Sequence, residues 1–261
     1  MKTAAFYDLD KTLMAGSSGM QFARVAARQG IVNRRQLVEW GWDHLRYRLR
    51  GATDEETADV LKVARELITG VPGKDIDRMG PEVMAAILPR IYPLMLEEIW
   101  RHQDDGRPCF IVSAAGNGIV ESLASVLGME GGIGTRYELG PDGTFTGRLD
   151  GPFVYGPGKV EAMERFAADH GIDLAGSYAY SDSVSDLPML RAVGNSVVVN
   201  PDAELAQIAR EEGWQVMQFE RIGRRLAIAG ATVVAALAGL GGHRVAMRRA
   251  AAGRRPRLRR A

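Results

Sequence analysis

An α/β fold on a parallel sheet, with a helical insertion after the first strand and an apolar, basic tail, is what this 261-residue sequence predicts. Three observations predict it. Short apolar runs ending in small or acidic residues recur at 3–8, 108–113, 177–180 and 196–199, and helical segments between the later ones give the alternation that builds parallel sheets. Between the first and second runs, 18–103 is dominated by helical spacing. Beyond Glu220 the chain changes character, with 11 arginines and no acidic residue from Arg221 to Ala261.

Taken in order, "TAAFYDLDKTL" is a buried strand that runs out into Asp8 and Asp10. The insertion follows as "GMQFARVAARQG", "RRQLVEWGWDHLRYRLRG" and "TDEETADVLKVARELITG", punctuated by Gly51 and Gly70. Thr53 and Glu56 have capping-box spacing. The strand in "GRPCFIVSAAG" leads to a helix starting near Ile119. "TRYELGPDGTFTGRL" reads as a hairpin turning at Pro-Asp-Gly, and a helix begins around Lys159. The expected division is a core of 1–17 and 104–220, a helical domain of 18–103, and a tail of 221–261. Ligands of open parallel sheets bind beyond the carboxyl ends of the strands. The insertion leaves from that end, where it can serve as a lid; the alternative is a helical domain with no part in chemistry.

Composition narrows the class. The length suffices for a sizeable core, and 46% hydrophobic with 25% charged residues is that of a globular protein. One cysteine, Cys109, excludes an internal disulfide, and its apolar setting in "PCFIV" reads as a buried small residue. The N-terminus lacks a secretory signal, so a cytoplasmic catalytic part is expected. The net charge of +1 conceals 22 basic against 32 acidic residues in 1–220.

Side chains alternate along a strand, so Asp8 and Asp10 point the same way and repel unless positive charge lies between them. Alone, this pattern also fits a strand running into a solvated loop. Ser113, followed by Ala114, Ala115, Gly116, Asn117 and Gly118 before a helix, offers a hydroxyl and backbone N–H groups to an oxyanion. Lys159 sits in the first turn of a helix, where a cation is unfavourable unless an anion is present. Asp182 and Asp186 follow another strand directly. Four carboxylates converging at strand ends need a cation, and hard oxygen ligands without a histidine cluster point to Mg2+.

"DLDKTL", "VSA", "GPGK" and "SDSVSDLPML", in this order, resemble the four motifs of the haloacid dehalogenase (HAD) superfamily of phosphatases, in particular its subfamily IB, phosphoserine-phosphatase-like branch. The resemblance covers about 1–220. It implies a HAD-like Rossmannoid core with an inserted α-helical cap. It further implies Asp8 as the nucleophile that becomes an aspartyl phosphate and Asp10 as the acid/base. Ser113, Ala114 and Lys159 would hold phosphate. Mg2+ would be held by the carboxylates of Asp8 and Asp182 and the backbone carbonyl of Asp10, with Asp186 in support. The expected activity is Mg2+-dependent hydrolysis of a small phosphomonoester. The alternatives are phosphotransfer to an alcohol and a noncatalytic, membrane-associated Mg2+/phosphate-binding scaffold.

Three positions depart from the resemblance. Phosphoserine phosphatases resemble one another in a glutamate nine residues after the nucleophile, and Ser17 stands there. Ser181 replaces the usual Gly of the fourth motif, and Ser185 stands where some members carry Asn. Phosphoserine is then one candidate beside histidinol phosphate and lipid-pathway phosphates. Met20, Trp40, Trp42, Arg46 and Arg48 are candidates for reading the substrate. Leu226–Gly242 is an uncharged run of 17 residues, near the lower limit of about 17–25 for a bilayer span. Ala231, Ala235 and Gly239 give it a small-residue face, and arginines flank both ends. Eight arginines beyond it oppose a full span from a cytoplasmic enzyme, whereas a helix lying in an anionic membrane surface avoids that conflict. A docked helix, a disordered tail and a nucleic-acid arm remain alternatives, the last disfavoured by the absence of aromatics.

Overall fold

A computed structural model describes residues 2–31 and 61–219, apart from 63 and 67. Trp40, Trp42, Arg46, Arg48, Gly51, the Thr53–Glu56 pair and the 226–242 segment lie outside the described residues. Among the described residues no helix is long and apolar enough to cross a membrane.

Six parallel strands form the central sheet: β1 (Ala5–Tyr7), β2 (Cys109–Gly116), β3 (Gly131–Thr135), β6 (Tyr178–Ser181), β7 (Asn195–Val199) and β8 (Gln215–Met217). Their order is β3-β2-β1-β6-β7-β8. The first strand in sequence therefore lies in the middle, with Ala5 opposite both Cys109 and Tyr178. Alternation divides β1 cleanly. Phe6 joins Phe110, Val112, Ala179 and Val198 in one hydrophobic core, closed by Met163 and Ala167 of α5 (Pro157–His170). Tyr7 faces the other way and stacks on Tyr180 at 4.5 Å.

The expected strands appear within a few residues of their places, and the hairpin is present as β4 (Tyr137–Leu139) and β5 (Phe145–Leu149), paired antiparallel. Two edge strands had no forecast. "GGIGT" lacks strand propensity, yet it pairs along β2 because its glycines admit a helix at close range. A Cβ on Gly132 would stand 2.6 Å from Val120 Cγ1, and one on Gly134 2.6 Å from Asn117 Cα. Both neighbours belong to α4 (Asn117–Val126), which starts two residues before the expected Ile119. β8 is too short to show a period, and pairing with β7 makes it a strand.

Between β1 and β2 the described regular structure is helical: α1 (Ser18–Arg28), α2 (Gly73–Ile87), a 3-10 turn at Leu88–Arg90, and α3 (Pro93–Asp104). Ser17 caps α1 through its hydroxyl, which accepts from Met20 N at 3.4 Å. Gly70 takes φ +78°, a left-handed stop consistent with its expected role as punctuation. Two short helices, α6 (Leu187–Arg191) and α7 (Ala203–Glu211), complete the fold. Met1–Met217 forms one compact unit.

Candidate active site

Asp8 and Asp182 directly follow the adjacent strands β1 and β6, and Ser113 lies in the neighbouring β2 at the last regular pair before its register shifts. Lys159 reaches Asp8 from the first turn of α5. That turn depends on two glycines. Gly156 has φ +51°, and a side chain at Gly158 would be driven into the Phe153 carbonyl oxygen. Pro157 between them presets the helical start. "GPGK" is thus a compact device for delivering a lysine to a crowded place.

Lys159 is 3% exposed, and its Nζ lies 2.5 Å from Asp8 Oδ1 and 2.7 Å from Asp186 Oδ2. The Ser181 hydroxyl donates to the same Asp186 oxygen at 2.6 Å and accepts the Ser183 N–H at 3.2 Å. The other Asp186 oxygen is buried without a hydrogen-bond partner among the described residues. Lys11, with φ +59°, extends its ammonium to 3.4 Å from Asp182 Oδ2. Asp10 Oδ1 accepts the Ser18 N–H at 2.8 Å, so the start of α1 orients that carboxylate. The Ser113 hydroxyl accepts the Ala115 N–H at 3.2 Å, where β2 breaks register before α4. Ala114 lies in that irregular stretch and is partly exposed.

Burial dominates the electrostatics. It raises the Asp8 carboxyl to about 8; the Lys159 charge opposes this, while Asp186, Asp182 and Asp10 add to it. Burial likewise raises Asp182 to about 6, against the lowering effect of Lys11. For Lys159, desolvation is outweighed by Asp186 and Asp8, which hold the ammonium charged. With all four carboxylates ionised, the two lysines leave two negative charges in excess, which one divalent cation would balance, and without it burial favours the protonated form of Asp8. The described residues hold no cage of three or more acidic, histidine or cysteine side chains. The carboxylates of Asp8 and Asp182 and the backbone carbonyl of Asp10 are hard oxygens, of the kind that would suit Mg2+.

The sequence-predicted residues Asp8, Lys159 and Asp186 are in direct contact, and the charges of Asp10 and Asp182 act on Asp8. Met20 is a half-buried residue of α1. Sequence reasoning missed the Lys11–Asp182 pair and the hydroxyl bridge of Ser181. Lys11 stands between two motif residues and carried the signal, whereas a serine in a serine-rich turn carries none.

The sequence matches the haloacid dehalogenase-like hydrolase family over residues 5–191. It is 34% identical over 246 residues to a phosphoserine phosphatase of Mycobacterium tuberculosis, covering 93% of this chain and 79% of that protein. It is 31% identical over 224 residues to a histidinol-phosphatase of Neisseria meningitidis, covering 84% of this chain and all of the other. Among solved structures, a substrate-bound phosphoserine phosphatase superposes with a TM-score of 0.60 at 18% identity, over 87% of this chain and 98% of that one, and shares the fold. The chain belongs to the haloacid dehalogenase-like hydrolases, and within them it is a phosphatase.

Proposed function

We propose that this phosphatase hydrolyses a small phosphorylated alcohol in two steps, through a phosphate ester on Asp8, with Mg2+ bound. The observation that carries the reading is the ammonium of Lys159, buried between Asp8 and Asp186 beside the end of β1. A buried ion pair is a poor device for stability alone. It is a good one for positioning a nucleophile and neutralising phosphoryl charge.

In the first step an Asp8 carboxylate oxygen bonds to phosphorus as the bond to the ester oxygen breaks. Asp10, held by the Ser18 N–H, gives its proton to the departing alkoxide. In the second, Asp10 takes a proton from water, whose oxygen attacks phosphorus and frees inorganic phosphate and the Asp8 carboxylate. Lys159 and Ser113, with the backbone beside Ala114, hold the phosphoryl oxygens throughout. Asp8 and Asp182, with the Asp10 carbonyl, would hold Mg2+, which supplies charge neutralisation at the phosphoryl group. Asp186 keeps Lys159 in place.

The relatives act, by name, on phosphoserine and on histidinol phosphate, two small phosphorylated primary alcohols that each carry an amine. Ser17 spends its hydroxyl on capping α1 and offers no carboxylate to an amine, which favours a substrate range wider than phosphoserine. The arginines of 221–261 support contact with an anionic membrane surface. Flotation with anionic vesicles, full chain against a chain ending at Glu220, tests that part; equal behaviour would exclude it.

The test of the activity is phosphate release from phosphoserine, histidinol phosphate, glycerol phosphates and lysophosphatidic acid, with Mg2+, with chelator, and with Asp8→Asn. Turnover that needs both metal and Asp8 supports the reading. Turnover persisting in Asp8→Asn removes Asp8 as nucleophile. Phosphate appearing on an added alcohol would make the enzyme a phosphotransferase, and no turnover at all would favour the binding scaffold.

A further inference from the structure

On the sheet face opposite Phe6, four side chains form one directional chain of hydrogen bonds. Arg107 Nε donates to His102 Nδ1 at 2.8 Å. An arginine cannot accept, so Nδ1 carries the lone pair and the proton sits on Nε2. Nε2 then donates to the Tyr180 hydroxyl at 2.8 Å, and that hydroxyl donates to Glu98 Oε2 at 3.1 Å. Arg101 pairs with the same Glu98 oxygen, and the Arg107 guanidinium also lies over the Tyr178 ring at 5.1 Å. His102 is fully buried.

The chain joins two elements that serve the site. Tyr180 lies two residues before Asp182, and its backbone carbonyl accepts the Asp8 N–H at 2.9 Å. Its ring stacks on Tyr7, the residue before Asp8. Glu98 and His102 belong to α3, and the residues leading into that helix grip the Asp10 loop: Tyr92 N bonds to Leu13 O at 2.9 Å, and Ala15 N to Arg90 O at 2.8 Å. One helix is therefore bonded near its start to the loop of Asp10 and near its end to the strand of Asp182.

We propose that the Arg107–His102–Tyr180–Glu98 chain is a positioning device, which locks α3 against β6 and so sets Asp10 and Asp182 in register with Asp8. Apolar packing alone would hold α3 on the sheet but would let it slide by fractions of an ångström. Directional bonds remove that freedom, and misplacement on that scale costs rate in reactions that depend on alignment. The proposal rests on the reading of Asp8, Asp10 and Asp182 given above.

The test measures kcat and KM for p-nitrophenyl phosphate, per folded molecule and well below Tm, in wild type, Asp8→Asn, Tyr180→Phe, His102→Gln and His102→Leu. Tyr180→Phe keeps the stacking ring and removes only the hydroxyl. We expect its kcat to fall about tenfold with KM nearly unchanged. His102→Gln, whose amide can accept from Arg107 and donate to Tyr180, retains most of the rate, while His102→Leu does not. Wild-type kcat in folded Tyr180→Phe overturns the proposal, as does equal loss in the Gln and Leu variants. A wild type that is inactive, or no faster than Asp8→Asn, overturns the reading of the site instead.

Discussion

Lys159 Nζ lies 2.5 Å from Asp8 Oδ1, and both side chains are removed from water. The lysine closes a line Asp8–Lys159–Asp186–Ser181 in which every member is buried. Replacing Lys159 by Met leaves two buried carboxylates without their cation. The expected loss is about 3–5 kcal/mol of stability, read by denaturant unfolding, together with loss of turnover. Lys159→Met combined with Asp186→Asn should recover part of the stability and none of the activity. Additive stability losses in the double variant would show that the two groups do not interact.

Asp8 and Asp10 differ in what surrounds them. Asp8→Asn keeps an oxygen for the Lys159 ammonium and should fold, yet release no phosphate. Asp10→Asn keeps an acceptor for the Ser18 N–H but loses the proton donor, so kcat should fall by about 10²–10⁴-fold. Rapid-quench assays with folded protein distinguish the two, and a fully active Asp10→Asn would remove that residue from the proton-transfer steps.

His102 ties stability to pH. Burial, then Arg101 and Arg107, push its imidazole down to about 4, with Glu98 and Asp105 opposing; Tyr7, Tyr178 and Tyr180 form the surrounding ring cluster. In the unfolded chain a histidine titrates near 6.5. Between those values the unfolded chain binds the extra proton, so this group's contribution is present above about 6.5 and is lost as pH falls towards 4. Wild-type Tm should drop through this window more steeply than that of His102→Gln. Parallel slopes would locate the acid sensitivity elsewhere.

Gly158→Ala tests the delivery of Lys159. Its methyl group has no room beside the Phe153 carbonyl, so the turn must open. We expect lower Tm and a loss of turnover disproportionate to the unfolded fraction, because the first turn of α5 carries the lysine. Gly151→Ala is the control: no atom lies near its added methyl, although φ +113° strains it too.

Gly118 and Ile119 illustrate how small the errors of sequence reading are near a motif: the helix expected near Ile119 begins at Asn117. The fold class, the four buried-strand segments and the hairpin were legible in sequence because each leaves a local mark, and Asp8, Lys159 and Asp186, singled out by their charge, lie in contact. Buried strands are apolar runs, turns need Gly and Pro, and charged groups at strand ends stand out against them. What only the tertiary structure decided are relations between distant positions. "GGIGT" becomes a strand because α4 approaches its glycines. Ser181 becomes a bridge because Asp186 returns beside it. His102, an ordinary residue on an amphipathic helix, meets the Tyr180 hydroxyl across 78 positions. Local propensity is a property of neighbouring residues and is written along the chain. The partner of a buried polar group is chosen by packing, which no short stretch of sequence contains.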